Sequence, residues 1–291
     1  MIVPQGIGSA NDNLARALAA RMGEALGQQF VVDNRPGASG LIGIEITVNA
    51  APDGYTLLVT STGIQVVAPQ LQKKLAFHPV NDLAPISLFA TTQNALILHP
   101  SVPAKTLKDF IALAKATPGK FNMASAGSGT QSHLASVQFT LLAGIDAMHV
   151  PYKGGGAMVT ALLANEAQFN VTPLAGVFSF VKAGRLRVLG TGGTTRSALL
   201  PDVPTIAEAG VPGYQSSGWS GMLAPRGTPK PVLDKVHATL VKVMRQTEMR
   251  ELFTRQGADP VTNQPAEFGA FMREEWERFA RAIKAAKLHA E

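Results

Sequence analysis

Phe121-Asn122-Met123-Ala124-Ser125-Ala126-Gly127-Ser128-Gly129-Thr130-Gln131-Ser132-His133 reads as a strand, a glycine turn and the start of a helix. Phe121 to Ala124 suits a short strand, and the pattern from Ser132 to Ala143 suits a helix. The first N–H groups of a helix lack intrahelical partners and carry the positive end of its dipole, so a turn rich in Gly, Ser and Thr at that point makes a seat for an oxyanion. Glycine turns feed helix patterns twice more, at Gly6 to Asp12 and at Lys153 to Gly156. No catalytic constellation accompanies any of the three. Taken singly, each has the composition of an ordinary N-cap; together they point to gripping a small anion rather than transforming one.

Working outward, Met148-His149-Val150 is a strand that runs into Pro151-Tyr152-Lys153-Gly154-Gly155-Gly156, followed by a helix over 158–164 and a strand at Phe169-Asn170-Val171. Upstream, Asn13 to Leu26 is an amphipathic helix stopped by Gly27, Phe30 to Asp33 a short strand, Ser39 to Ala50 a helix and Tyr55 to Val59 a buried strand. This alternation predicts an α/β fold with a parallel sheet covered on both faces. Ile86 to Ala90 and Ala95 to Leu98 read as two strands, Leu107 to Ala116 as a helix, Phe178 to Ala183 as a helix and Leu186 to Gly190 as a strand. Thr205 to Ala209 reads as a short helix, Trp219 to Ala224 as a strand, and Val232 to Gln246 and Ala266 to Ala286 as two closing helices. These last helices carry no ligand loop and are expected to complete the first domain. The predicted domains are therefore 1–98 with 220–291, and 99–219, with two crossovers.

Composition narrows the function classes. At 291 residues the chain is comfortable for two domains, and 46% hydrophobic with 16% charged residues describes packed globular structure. The net charge of +6 is scattered, without a basic run, and only three Tyr and two Trp are available for stacking; nucleic acid is not an expected partner. The absence of cysteine removes disulfides, iron–sulfur clusters and a thiol nucleophile. His78, His99, His133 and His149 are too dispersed for short-spacing metal motifs, so neither metal nor cofactor is expected. His133, one turn into its helix, can face ligand or core. No segment reaches the roughly 20 apolar residues of a membrane span. Met1-Ile2-Val3-Pro4 is an abrupt start for a strand of about five residues, and a signal peptide and part of a strand are expected to precede it.

Two motifs approach those of enzymes. Ser125, Ser128 and Ser132 surround glycines but do not form G-x-S-x-G, and no acid and histidine follow in order. Gly6-Ile7-Gly8-Ser9-Ala10-Asn11 approaches a dinucleotide fingerprint but carries Asn11 at the third glycine.

Val3-Pro4 with Gly8 to Asp12, Asn34-Arg35-Pro36-Gly37-Ala38, Ala51-Pro52-Asp53-Gly54-Tyr55-Thr56 and Pro118-Gly119-Lys120-Phe121-Asn122 form an ordered series. It continues through Ala124 to Ala135, His149 to Gly154, Lys182-Ala183-Gly184-Arg185, Leu200-Pro201-Asp202-Val203-Pro204 and Ala224-Pro225-Arg226-Gly227. In this the chain resembles, over nearly its whole length, the substrate-binding proteins of tripartite tricarboxylate transporters, the Bug type. The resemblance implies a type II periplasmic binding protein, with two α/β domains hinged around a ligand cleft, and a monomer. It implies an extracytoplasmic, periplasmic receptor that is not an enzyme, that binds a small carboxylate and that delivers it to the transporter's membrane subunits. Carried onto this chain, the ligand contacts are Gly8, Ser9, Ala10, Asn11 and Asp12 in the first loop, with Ser61, Thr62 and Gly63 as the floor. The second domain supplies Ser125, Gly127, Ser128, Thr130, Gln131, Ser132, Tyr152, Lys153 and Gly154. Where the family often has an Asp-Asn pair, this chain has Thr172 and Pro173, which favours a ligand without an amino group at that end. The alternatives are a hydrolase using a serine of the 125–132 loop, and a stand-alone sensor domain.

Overall fold

The computed structural model describes residues 1–128, 130–152, 154–197 and 199–285. In chain order the elements begin with β1 (Ile2–Val3), α1 (Ala10–Leu26), β2 (Asp33–Asn34), α2 (Leu41–Val48), β3 (Leu58–Ser61) and β4 (Leu83–Leu98). Next come α3 (Leu107–Ala116), β5 (Asn122–Ser125), α4 (Gln131–Ala143), β6 (Met148–Pro151), α5 (Gly155–Leu163), β7 (Phe169–Pro173), α6 (Phe178–Lys182) and β8 (Arg187–Thr191). The chain closes with β9 (Ser217–Pro225), α7 (Lys230–Met244), α8 (Thr247–Arg255), β10 (Asp259–Pro260) and α9 (Pro265–Ala285). Two compact units result: Met1–Thr91 with Trp219–Arg281, and Thr92–Gly218.

In the first unit the strand order is β2-β1-β3-β9-β4, with β10 on β4. β1 is parallel to β2 and β3, whereas β9 runs antiparallel to β3 and β10 antiparallel to β4. The core is a helix pair: Leu14, Leu18 and Met22 of α1 and Val236, Leu240 and Val243 of α7 are buried together with Phe89 and Phe253. Those apolar positions recur every three or four residues, one stripe per helix, which is what a helix covering a sheet must present. Ser9 caps α1 by accepting the Asp12 N–H at 3.2 Å, and Gly27, at φ 64°, ends it.

In the second unit β4 continues at Asn94–Leu98, antiparallel to β7 on one side and to β8 on the other. β5 lies between β7 and β6, parallel to both. The core is aromatic: Phe110 of α3 is fully buried, with ring centroids 5.5 Å from Phe121, 5.1 Å from Phe169 and 6.4 Å from Phe139.

The α/β class holds, and the sheets are mixed rather than parallel. Alternation identifies consecutive βα units but not the direction in which a strand enters after a long excursion, and β9 and β4 enter reversed. β4 is one strand where two were expected: Thr91, Thr92, Gln93 and Asn94 interrupt the apolar pattern without breaking extended backbone, which suits β-branched threonine. Thr205 to Ala209 is a turn, with Thr205 bridged to Thr191. A helix missed in the sequence, α8, buries Met249 and Phe253 along one narrow stripe within an otherwise polar segment.

Candidate functional site

In the first unit the expected loop residues gather beyond the C-terminal ends of the neighbouring parallel strands β1 and β3. Gly8, at φ 81°, turns the chain into α1, and its N–H donates to Asp12 Oδ2 at 2.8 Å. Ser9 is the N-cap, so the Asp12 N–H is spent on its hydroxyl and the Asn13 N–H on its carbonyl. The N–H groups of Ala10 and Asn11 have no such partner within the helix. Asn11 is 4% exposed; its Oδ1 accepts from Ser220 Oγ at 2.6 Å, and its Nδ2 is buried without a protein partner. That amide is a donor held ready for a bound oxygen.

Ser220 on β9 lies opposite Ser61, the last residue of β3. Thr62 is buried and its hydroxyl accepts the Trp219 N–H at 2.7 Å, while Gly63 opens a single π-helical turn, Gly63–Val67. Asp12 has a different occupation. At 1% exposure its carboxylate receives Gly8 N–H, Arg16 and, at 2.9 Å, Asn34 Nδ2. It shapes the loop from behind. Burial alone would raise its pKa, but the hydrogen bonds from Arg16, Gly8 and Asn34, with the Arg16 charge, outweigh that and hold the carboxyl below the usual carboxylate range. Ser220 and Asn34 were not legible as site residues, because each reaches the loop from a distant segment; Arg16, one turn along α1 from Asp12, forms an i,i+4 pair with it that the spacing alone allowed.

In the second unit β6, β5 and β7 are adjacent and parallel, so the segments after them converge on one edge of the sheet. After β5, Ser125 is fully buried, Gly127 has φ 130°, Ser128 is exposed and Thr130 is the N-cap of α4. The Thr130 hydroxyl donates to the Gly127 carbonyl at 2.7 Å, and Ser132 Oγ accepts the Ala126 N–H at 3.0 Å. After β6, the Tyr152 N–H donates to the Ser125 carbonyl, and Gly154, at φ 95°, donates to the Ala126 carbonyl and starts α5. Lys153 lies outside the described residues. Thr172 and Pro173 end β7. The N–H groups of Gln131, Ser132, Gly155 and Gly156 lie in the first turns of α4 and α5, where intrahelical acceptors are lacking. Gln131 Nε2 is buried without a protein partner.

A cavity of about 570 Å³ opens on these turns. Thr130, Gln131, Ser132, Thr172 and Pro173 line it, as do Gly155 and Gly156 and apolar residues of α5 and α6.

Ser125 and His149 do not form an accessible nucleophile with its base. Ser125 Oγ lies 2.6 Å from His149 Nε2, but Ser125 is sealed from solvent and its oxygen is also engaged by the Gly127 backbone. Among the described residues no carboxylate hydrogen-bonds His149. The His149 ring stacks on His133 instead, with centroids 3.8 Å apart and planes 11° from parallel.

Burial and then the neighbouring His149 push the His133 pKa from 6.5 to about 4, and burial lowers that of His149. As pH falls below 6.5 the unfolded chain takes up a proton that folded His133 refuses, so stability is intact above that pH and drains away towards pH 4. We expect a loss of about 1–2 kcal/mol after allowance for solvent screening. Urea midpoints at pH 7 and pH 4.5 measure it. A His133→Phe variant with the parent's pH slope would show that the slope arises elsewhere.

Comparison with known proteins places the chain. Residues 14–288 match the model of the tripartite tricarboxylate transporter family receptor. Protein BugT of Bordetella pertussis is 33% identical over 285 residues, covering 98% of this chain and 87% of that protein. Among solved structures, Rpa4515 of R. palustris with adipate is 30% identical with a TM-score of 0.81, covering 99% of this chain and 97% of that one. MatC of Rhodopseudomonas palustris with bound malate is 29% identical with a TM-score of 0.75, covering 97% of each chain. With its fold and sequence matched along nearly all its length, the chain belongs to the receptor family of the tripartite tricarboxylate transporters.

Proposed function

We propose that this protein is a periplasmic receptor that binds a small carboxylate through the donor groups at its strand ends. It acts as a monomer, hands the solute to the membrane subunits of a tripartite tricarboxylate-type transporter and leaves it chemically unchanged. The observation that carries this reading is the set of donors that the helices leave without intrahelical acceptors, the N–H groups of Ala10, Asn11, Gln131, Ser132, Gly155 and Gly156, with the buried amide groups of Asn11 and Gln131. Donors fixed by the fold need no reorganisation to meet an oxyanion, and hydrogen bonds to a charged group exceed neutral ones. Adipate and malate, bound by the two Rhodopseudomonas relatives, are the first solutes to try.

Calorimetry on the purified chain is expected to detect a carboxylate, and Asn11→Leu to weaken it about 10- to 100-fold, the worth of one hydrogen bond to a charged acceptor. Chromatography of the recovered solute should return it intact. Loss of the solute to a new product, or an Asn11→Leu variant with parental affinity for every acid bound, would overturn this assignment.

A further inference from the structure

Resting on the carboxylate reading, we infer that the solute carries an uncharged apolar body and that the 570 Å³ cavity of the second unit is its seat. The cavity has two ends of different chemistry. At one lie the first turns of α4 and α5, with the Gln131 amide. The rest of the wall is mostly apolar: Met158, Val159 and Leu163 of α5, with Thr160 as its polar member, and Val177 and Phe180 from the segment entering and forming α6.

No Asp, Glu, Lys or Arg occurs among the described residues that line it. An ammonium group would find no carboxylate among them. Burying it unpaired is far costlier than burying hydrocarbon. Thr172 and Pro173 close the wall with one hydroxyl and one ring, neither of which accepts an ammonium group as a carboxylate would.

Size points the same way. At about 570 Å³ the cavity lies within the range of sites for small molecules larger than a four-carbon diacid, which has about nine non-hydrogen atoms. A body the size of an aryl group or a chain of six or more carbons, counted roughly, fills it in the manner of ordinary small-molecule sites. The solute class is thus an alkyl or aryl carboxylate. Its head meets the helix turns and its tail meets α5 and α6.

The test is calorimetry on the whole chain with butyrate, hexanoate, octanoate and phenylacetate, set against malate, citrate, glutamate and 2-aminooctanoate. Affinity is expected to rise about fourfold per methylene until the cavity fills. Octanoate should exceed 2-aminooctanoate by about tenfold or more. Phe180→Glu and Val159→Asp replace half-buried wall positions and should each lower octanoate affinity by about tenfold or more, with parental thermal stability. Preference for malate, citrate or glutamate would leave the carboxylate reading standing and overturn this inference. Binding of no acid at all would overturn both. Tight octanoate binding unaffected by either variant would place the tail elsewhere and refute the seat proposed here.

Discussion

Phe110→Ala is expected to destabilise the second unit by about 3–5 kcal/mol, the largest effect of any single truncation considered. The ring is fully buried and sits at the meeting point of three others, edge-on to Phe121 and Phe169 and stacked on Phe139. Removing it deletes transfer free energy, the aromatic contacts, worth about 0.5–1.5 kcal/mol each, and leaves a cavity that interlocked rings cannot collapse into. The rings belong to α3, the residue before β5, α4 and β7, so the loss reaches the elements on both sides of the β5–α4 loop and the strand that ends at Thr172 and Pro173. Chemical denaturation followed by near-ultraviolet dichroism reports it. Phe110→Leu, which retains most of the volume, should recover more than half. A Phe110→Ala midpoint within experimental error of the parent would mean the cluster is not the centre of this unit's stability.

Asp12→Ala is expected to cost about 2–3 kcal/mol and to reduce carboxylate affinity about tenfold or more. The two effects have one cause. Gly8 N–H and the Asn34 amide are left without their acceptor, while Arg16, half exposed, rehydrates cheaply. With the turn at Gly8 untied, the Ala10 and Asn11 donors lose their fixed direction, and the solute must then bear the ordering cost on binding. Because the Asp12 pKa lies below its ordinary value, the stability it contributes is present above about pH 4 and is lost as pH falls through the folded value. Its acid window therefore lies below that of His133. Asp12→Asn, which keeps the shape but not the charge, should fall between parent and Asp12→Ala. Unchanged affinity in Asp12→Ala, measured well below its melting temperature, would show that the α1 loop does not hold the solute.

Much of the site's frame was legible in the chain. Gly127, Gly154 and Gly8 adopt backbone angles that favour glycine, and Ser9 and Thr130 cap helices. Such features are local: a positive φ or an N-cap is settled within three or four residues. The resemblance makes Asp12 a ligand contact. Its carboxylate is in fact committed to Gly8, Arg16 and Asn34, one of them 22 residues away. The Ser125–His149 contact joins residues 24 apart, and Asn11 is set by Ser220, 209 residues away. No periodicity encodes such pairs.

The sequence by itself determined the strand-turn-helix units, the α/β class and the family, because turn chemistry, helix caps and ordered motifs depend on near neighbours. Tertiary structure alone decided which strands reverse, which donors remain unspent and what the apolar stripe of α5 faces. Val159 and Leu163 carry the same hydrophobic signal whether they meet a core or a cavity. Only the packing of α6 and the end of β7 around them leaves open space there, since hydrophobicity drives burial without specifying the partner.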